Sequence, residues 1–275
     1  MTQPNVEPAD AAKTGRASAR RVWVVGASTG IGLALTARLL AGGFAVVASS
    51  RQATDNRALQ ELDAIYPGQL ACVDLDVTQP DTLASAVDQA WSKFQGLDVW
   101  FYNVGVYERV SFQNSRFEDY ARMNAANYLG CVALMHALRP HVLAGEGPVR
   151  WIWNLSIANQ IGLPYGGGYS APKAALLNLA EALAPELYAL NVRLQVVNHG
   201  FVKTRLTAKN PFQMPALMRP EQAADHLYAL IDRPFDRPGR FETHFPKRLT
   251  WVLKLLRHLP YAWQLALTKK MIAHD

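Results

Sequence analysis

A tyrosine and a lysine four residues apart form the pair in this sequence whose types and spacing best suit chemistry. The segment from Tyr169 to Lys173 follows a glycine run at 166–168 and leads into a helical pattern of alanines and leucines. Residues i and i+4 of a helix share one face, so the two side chains would be neighbours. A free tyrosine has a pKa near ~10, and a nearby ammonium group lowers that pKa. The pair therefore predicts acid/base catalysis, although the same spacing occurs on many surface helices.

The elements that would position this pair alternate between strand and helix along the chain. The patterns predict strands at 21–25, 44–49, 70–73, 97–101, 149–155, 192–198 and 240–245. They predict helices at 33–40, 54–65, 80–94, 117–144 (interrupted or ended near Pro140), 168–190 and 220–231. Such alternation is typical of an α/β protein in which helices cover both faces of a doubly wound, Rossmann-type parallel sheet. We expect one such domain over residues 21–246, preceded by a flexible N-terminal tail at 1–20.

A glycine-rich loop lies between the first predicted strand and the first predicted helix. Its glycines are Gly26, Gly30 and Gly32, with Ser28, Thr29 and Ile31 between them. Glycines allow the backbone to turn tightly and to approach a pyrophosphate, which then lies against the helix N-terminus. The spacing differs from the Gly-x-Gly-x-x-Gly of other dinucleotide folds. Its place in the first βαβ unit favours a dinucleotide site over an ordinary glycine-rich turn.

The end of the second strand indicates which dinucleotide would bind. An acidic residue there would accept hydrogen bonds from the adenosine ribose and favour NAD. This chain has Ser49-Ser50-Arg51 instead, and the Arg51 guanidinium could bind a 2′-phosphate. We therefore expect NADP(H) to be preferred over NAD(H), unless Arg51 is only a surface arginine.

Several motifs in the right order make the sequence resemble the short-chain dehydrogenase/reductase family over about residues 21–245. The glycine loop at 26–32 resembles the cofactor loop of that family. Asp76-Val77 resembles its adenine-contacting pair, and Tyr102-Asn103-Val104-Gly105 resembles its Asn-Asn-Ala-Gly motif with two replacements. Asn127-Tyr128-Leu129-Gly130 resembles the segment that carries the active-site asparagine, and Asn124 is the rival position.

The remaining resemblances lie on either side of Tyr169. Ser156 precedes Tyr169 by thirteen residues, which is the spacing customary in the family. Gly200, Val202 and Thr204 resemble the loop that contacts the nicotinamide carboxamide. His199 stands where the family has proline, and we interpret it as a tolerated substitution rather than a catalytic residue.

The resemblance implies a specific assignment of roles. Tyr169 would be the general acid or base, Lys173 would lower its pKa and bind the nicotinamide ribose, and Ser156 would hold the substrate oxygen. Asn127 would anchor a water linked to Lys173. The cofactor-binding residues would be Gly26, Ser28, Thr29, Gly30, Ile31, Gly32, Arg51, Asp76, Val77, Asn103, Gly105, Tyr169, Lys173, Gly200, Val202 and Thr204, with no metal. The implied activity is hydride transfer between NADP(H) and a carbonyl or alcohol.

Composition narrows the remaining classes of function. Half of the 275 residues are hydrophobic and 18% are charged, which suits a folded core rather than a disordered chain. The net charge of +6 comes without a nucleic-acid-binding motif, so no nucleic-acid partner is expected. Cys72 and Cys131 lack a Cys-x-x-Cys partner, and a polar N-terminus lacks the features of a signal peptide. A cytoplasmic protein is expected.

Two apolar segments bear on the substrate and on partners. Apolar side chains at 157–165 and 206–218 predict a hydrophobic substrate, or else a lid or a subunit interface. Residues 247–275 predict an amphipathic helical extension with basic residues, broken at Pro260. The extension could dock on protein, which we favour slightly, or lie on an anionic membrane as a peripheral contact. The family resemblance also implies a homo-oligomer, a dimer or tetramer, through the helices at 117–144 and 168–190.

Two other functions compete with the oxidoreductase. A non-catalytic NADP(H)-binding sensor or scaffold would keep the glycine loop but show no turnover. A nucleotide-sugar epimerase or dehydratase would need a larger substrate domain than the residues after Gly200 provide.

Overall fold

The computed structural model describes residues 20–147, 149–235 and 239–272. The predicted N-terminal tail at 1–20 lies outside the described residues except for Arg20. Within them, the strands are β1 (Arg21–Val25), β2 (Ala45–Ser50), β3 (Leu70–Asp74), β4 (Val99–Tyr102), β5 (Arg150–Asn154), β6 (Arg193–His199) and β7 (Glu242–Phe245). The α-helices are α1 (Gly30–Ala41), α2 (Arg57–Ile65), α3 (Pro80–Lys93), α4 (Phe117–Asn124), α5 (Gly130–Leu143), α6 (Gly167–Ala189), α7 (Pro220–Ile231), α8 (Lys247–Arg257) and α9 (Tyr261–Lys269).

The described strands form one parallel seven-stranded sheet in the order β3-β2-β1-β4-β5-β6-β7. The order reverses between β1 and β4, and open α/β sheets bind ligands at the carboxyl ends of the strands at such a switch point. The predicted doubly wound, Rossmann-type single domain is therefore confirmed.

Alternating side chains of the strands supply the core on both faces of the sheet. Trp23 and Val25 point into the layer covered by α3, α5 and α6, while Val22 and Val24 point into the layer covered by α1, α2 and α7. Tryptophans fill the first layer, with Trp100 edge-on to Trp151 at 5.0 Å between ring centroids. Burial on both faces explains why the strands are nearly continuous hydrophobic runs.

The helical segment predicted at 117–144 is present, but the prediction that Pro140 interrupts or ends it was wrong. α5 contains Pro140 and continues to Leu143, so the loss of one backbone N–H at position 140 does not end the helix. The irregularity lies earlier, in a π-helical turn at Ala125–Leu129 between α4 and α5. Such turns occur often at functional sites, and this one carries Asn127.

Within the predicted extension, α8 begins at Lys247, and α8 and α9 lie on either side of Pro260. Lys254 of α8 pairs with Glu242 of β7, and Asn198 of β6 donates to the same carboxylate at 2.7 Å. α8 is thereby joined to the edge of the sheet. Among the described helices, none is long and apolar enough to cross a membrane.

Candidate active site

One cavity of about 1460 Å³ opens at the carboxyl ends of β1, β4, β5 and β6. All the sequence-predicted site residues except Gly32 and Asn127 line it. These are Gly26, Ser28, Thr29, Gly30, Ile31, Arg51, Asp76, Val77, Asn103, Gly105, Ser156, Tyr169, Lys173, Gly200, Val202 and Thr204. Ligand pockets commonly measure about 300–1,000 Å³, so this cavity is large enough for a dinucleotide together with a substrate.

Gly32 is absent from the lining because it lies behind the loop, where α1 packs against the end of β1. A Cβ at Gly32 would lie 2.0 Å from the carbonyl oxygen of Gly26. Gly26 itself has φ +91°, a conformation that L side chains rarely adopt. The glycines therefore permit the tight turn that the sequence predicted, and Gly32 also permits the close packing of α1.

The first turn of α1 offers unneutralised backbone donors to the cavity. Within the described chain, no side chain caps this helix at Thr29, and its first turn holds no acidic residue. The free N–H groups and the helix dipole favour an anion such as a pyrophosphate. At the end of β2, the buried Ser50 hydroxyl finds no hydrogen-bond partner among the described residues, and it lines the same cavity as exposed Arg51. These features fit a phosphorylated dinucleotide.

Two asparagines connect the glycine loop to the neighbouring strands. The Asn103 amide donates to the Gly26 carbonyl at 2.9 Å, and the Asn154 amide donates to the Asn103 side chain at 2.7 Å. Asn103 therefore positions the loop as well as lining the cavity. Sequence reasoning missed Asn154, because an asparagine at the end of a buried strand carries no signal of its partner.

Tyr169 and Lys173 lie one turn apart on α6, and both line the cavity. Lys173 is only 2% exposed, and its amine donates to the carbonyls of Asn154 at 3.0 Å and Val104 at 3.3 Å. An ammonium group has three donors, so one remains for a ligand. The Lys173 nitrogen lies 5.9 Å from the centroid of the Tyr169 ring.

Burial dominates the ionisation of both groups. Burial raises the pKa of Tyr169 to about 12, and a hydrogen bond with Ser156 opposes that rise. Burial lowers the pKa of Lys173 to about 8. The pKa of Tyr169 thus lies above its usual value, not below it as the pairing with Lys173 predicted, because desolvation of the phenolate outweighs the other effects. At neutral pH Tyr169 is a proton donor.

The Asn127 side chain makes hydrogen bonds with the backbone beside the cavity. Its amide donates to the Val106 carbonyl at 2.7 Å, and its oxygen accepts from the Val106 N–H at 2.9 Å. Asn127 is fully buried whereas Asn124, the rival position, is exposed. The π-helical turn therefore directs Asn127 toward the segment after β4.

His199, the residue in place of proline, is neutral at physiological pH. Burial lowers its pKa to about 4, against a smaller opposing effect of the Gly200 carbonyl. Its Nδ1 lies 2.7 Å from that carbonyl oxygen. A carbonyl only accepts, so Nδ1 carries the proton and donates. This hydrogen bond restrains the turn that a proline ring would otherwise restrain.

Beside Tyr169 the cavity contains a second tyrosine, Tyr107, that sequence reasoning missed. The Tyr107 ring packs edge-on against Tyr169 at 5.6 Å between centroids, and its hydroxyl donates to Asn210 at 3.0 Å. Of the apolar residues predicted here, Ile157, Ile161, Leu163, Tyr165, Leu206 and Phe212 line the cavity, whereas Met214, Leu217 and Met218 do not. The extension adds Leu249, Leu253, Leu256, Leu267 and Met271.

The described residues hold no group of three or more His, Cys, Asp or Glu side chains that could bind a metal ion. The fold and the site define a Rossmann-type nucleotide-binding protein whose cavity also contains a tyrosine and a buried lysine from α6.

Comparison with known proteins narrows this class. The family model for short chain dehydrogenase matches residues 20–214. An uncharacterized oxidoreductase of Myxococcus xanthus is 30% identical over 88% of this chain and 94% of its own. The cis-4-hydroxycyclohexanecarboxylate dehydrogenase of Sinomonas cyclohexanicum is 34% identical over 78% of this chain and 86% of its own. The chain belongs to the short-chain dehydrogenase family, whose members are oxidoreductases.

Solved structures agree on the fold. A short-chain dehydrogenase from Streptomyces avermitilis superposes with a TM-score of 0.74 at 22% identity, covering 92% of this chain and 98% of its own. The alcohol dehydrogenase of Thermococcus sibiricus, complexed with 5-hydroxy-NADP, gives a TM-score of 0.72 at 23% identity, covering 82% and 95%.

Proposed function

We propose that the protein transfers hydride between NADP(H) and a hydrophobic carbonyl or alcohol, with Tyr169 as the general acid or base. One observation carries this proposal: Ser156, Tyr169 and Lys173 line the same cavity as the glycine loop and the uncapped N-terminus of α1. The substrate would therefore lie beside the cofactor and within reach of an acid.

The proton chemistry follows from the side chains. When bound, the nicotinamide supplies or accepts the hydride at the substrate carbon. Ser156 donates to the substrate oxygen, and Tyr169, protonated at neutral pH, delivers its phenolic proton to that oxygen. Protonated Lys173 stabilises the resulting phenolate and offers its remaining donor to the nicotinamide ribose. Oxidation of an alcohol runs the same proton path in reverse.

Replacing Tyr169 by Phe tests the assignment. The variant keeps the ring packed against Tyr107 but loses the proton, so kcat should fall about 100- to 10,000-fold. The dissociation constant for NADPH should change little. The measurement is cofactor oxidation with a panel of hydrophobic ketones and aldehydes, beside NADPH binding by fluorescence. Tyr107→Phe is the matched control, since it removes only the hydroxyl that binds Asn210, and its loss should be far smaller.

Undiminished turnover by the Tyr169→Phe variant would refute the assignment. If the unaltered chain binds NADPH tightly but reduces none of the panel, the sensor or scaffold function replaces the enzyme.

The preference for NADP(H) is tested at Arg51. This exposed guanidinium lies at the end of β2 beside the Ser50 hydroxyl, which has no partner in the described part of the chain, and the sequence has no carboxylate at position 51. The nearby Asp74 carboxylate already accepts two hydrogen bonds from Thr54, each of 2.9 Å. Arg51→Gln should weaken NADPH binding roughly 10- to 100-fold, as expected for loss of a charge-assisted contact. NADH binding should stay unchanged; equal kcat/KM with NADH and NADPH in the unaltered chain would contradict the preference.

A further inference from the structure

The C-terminal extension exposes large apolar side chains that do not line the cavity. On α8, Trp251 is 61% exposed and Leu255 69%; on α9, Trp263 is 63% exposed and Leu265 66%. Trp263 and Leu265 lie two residues apart and therefore face different sides of α9. We call Trp251, Val252, Leu255 and Trp263 the outer face of the extension. Large clustered apolar side chains are uncommon on a soluble surface and mark an interaction site.

The inner side of α8 is also apolar, which separates it from an ordinary surface helix. Leu249, Leu253 and Leu256 line the cavity at the spacing of one helical stripe. Trp251 and Leu255, also four residues apart, form a second stripe, and both side chains are largely exposed. A helix that only docked on its own domain would need one apolar stripe. The inner stripe already does that, so the outer face requires another explanation.

Charge identifies what the outer face fits. Residues 247–272 contain six lysines and arginines and no aspartate or glutamate. In the described structure only one of these cations, Lys254, pairs with a carboxylate. The others are Lys247, Arg248, Arg257, Lys269 and Lys270, all exposed. The extension thus combines exposed apolar and aromatic side chains with cations that pair with no carboxylate among the described residues. This combination fits a partner that has an apolar interior beneath a negatively charged surface.

We propose that the outer face of the extension docks on an anionic lipid membrane, with α8 and α9 lying in its interface. Tryptophan rings favour the headgroup region, and each basic residue near an anionic leaflet strengthens binding. A second copy of the chain fits less well, because a two-fold contact of this face with itself would bring the unpaired cations together. The proposal does not depend on the cofactor or on the reaction.

Co-sedimentation of the full chain with vesicles tests the docking. Vesicles of phosphatidylcholine with phosphatidylglycerol should pellet the protein, vesicles of phosphatidylcholine alone should pellet much less, and high salt should release it. The double variant Leu255→Ser/Trp263→Ser should bind the anionic vesicles roughly 30-fold more weakly, through lost apolar burial. Lys269→Gln/Lys270→Gln should weaken binding by a similar factor. None of these four residues lines the cavity.

A matched control removes equally exposed apolar groups from the body of the protein. Phe112 is 94% exposed and Ile65 64%, and both lie outside the extension; Phe112→Ser/Ile65→Ser should bind vesicles as the unaltered chain does. Circular dichroism and the thermal midpoint show whether each variant is folded. Failure of the unaltered chain to pellet with anionic vesicles overturns the proposal, as does equal loss in the control. A dimer by light scattering that Leu255→Ser/Trp263→Ser converts to monomer, without vesicle binding, also overturns it and assigns the face to a second copy.

Discussion

Because the Lys173 amine is buried, the free energy of unfolding changes with pH in the alkaline range. Its pKa is about 8 in the protein, below the ordinary value of 10.5, because burial disfavours the charged form. Between those two pH values the unfolded chain holds a proton that the folded chain has released. Stability therefore rises with pH across this interval, by roughly 3 kcal/mol for a shift of this size.

Lys173→Met removes this dependence while keeping an unbranched side chain. The free energy of unfolding, measured by urea at pH 7 and at pH 10.5, should rise less with pH in the variant than in the unaltered chain. The difference should be roughly 3 kcal/mol, since only the unaltered chain carries the lysine. Tyr169, whose raised pKa removes stability only as pH rises above 10, is present in both chains and cancels. A parallel pH dependence in the two chains would show that the amine is not desolvated.

The sequence predicted which residues meet at the site but not how they ionise. Spacing on one helix placed Tyr169 beside Lys173, and the resemblance to the family implied that Ser156 lies near them. The pKa of Tyr169, however, depends on burial by residues from distant parts of the chain, including Tyr107. Burial of that kind arises only when the sheet and the loops have assembled.

At the scale of elements, the close packing of α1 against the end of β1 determines the conformation of the glycine loop between them. Gly32→Ala would place a Cβ 2.0 Å from the Gly26 carbonyl oxygen, so the helix must move away from the loop. Overpacking of this kind costs about 1–3 kcal/mol, and the displaced turn would also weaken dinucleotide binding. Urea unfolding and NADPH titration measure the two effects.

Gly162→Ala is the matched control for this substitution. An added Cβ at Gly162 meets no atom within 4 Å, and Gly162 lies outside the cavity. Its stability and its affinity for NADPH should stay close to those of the unaltered chain. If Gly32→Ala were equally harmless, the close packing of α1 on the loop would be disproved.

Periodicity predicted the order and type of the elements because both faces of the sheet are buried. It did not predict the π-helical turn at Ala125–Leu129, since one extra residue in a helix leaves no compositional signal. Pro140 was the visible irregularity, yet the helix tolerates it three residues before its end. The turn depends instead on tertiary hydrogen bonds, such as those that Asn127 makes with Val106.

At the scale of the whole molecule, one end of the cavity is polar and the other end is apolar. The switch point between β1 and β4 provides its polar end, and α8 and α9 close its apolar end. The sequence predicted an amphipathic extension but left open which surface it covers, because α8 carries two apolar stripes and only the tertiary contacts choose between them. Oligomeric state and cytoplasmic location stay predictions.

Because leucines of the extension line the apolar end of the cavity, we expect turnover to depend on the length of the substrate. Each methylene that enters an apolar pocket gains about 0.8 kcal/mol, or roughly a fourfold rise in kcat/KM. In a series of unbranched aldehydes or 2-ketones, kcat/KM should therefore climb with each added carbon until the chain passes Leu253 and Leu256. Leu253→Asn should flatten this climb, because Leu253 lines the cavity. Leu255→Asn, on the outer face, should leave it intact. A flat series in the unaltered chain would mean that the extension does not contact the substrate.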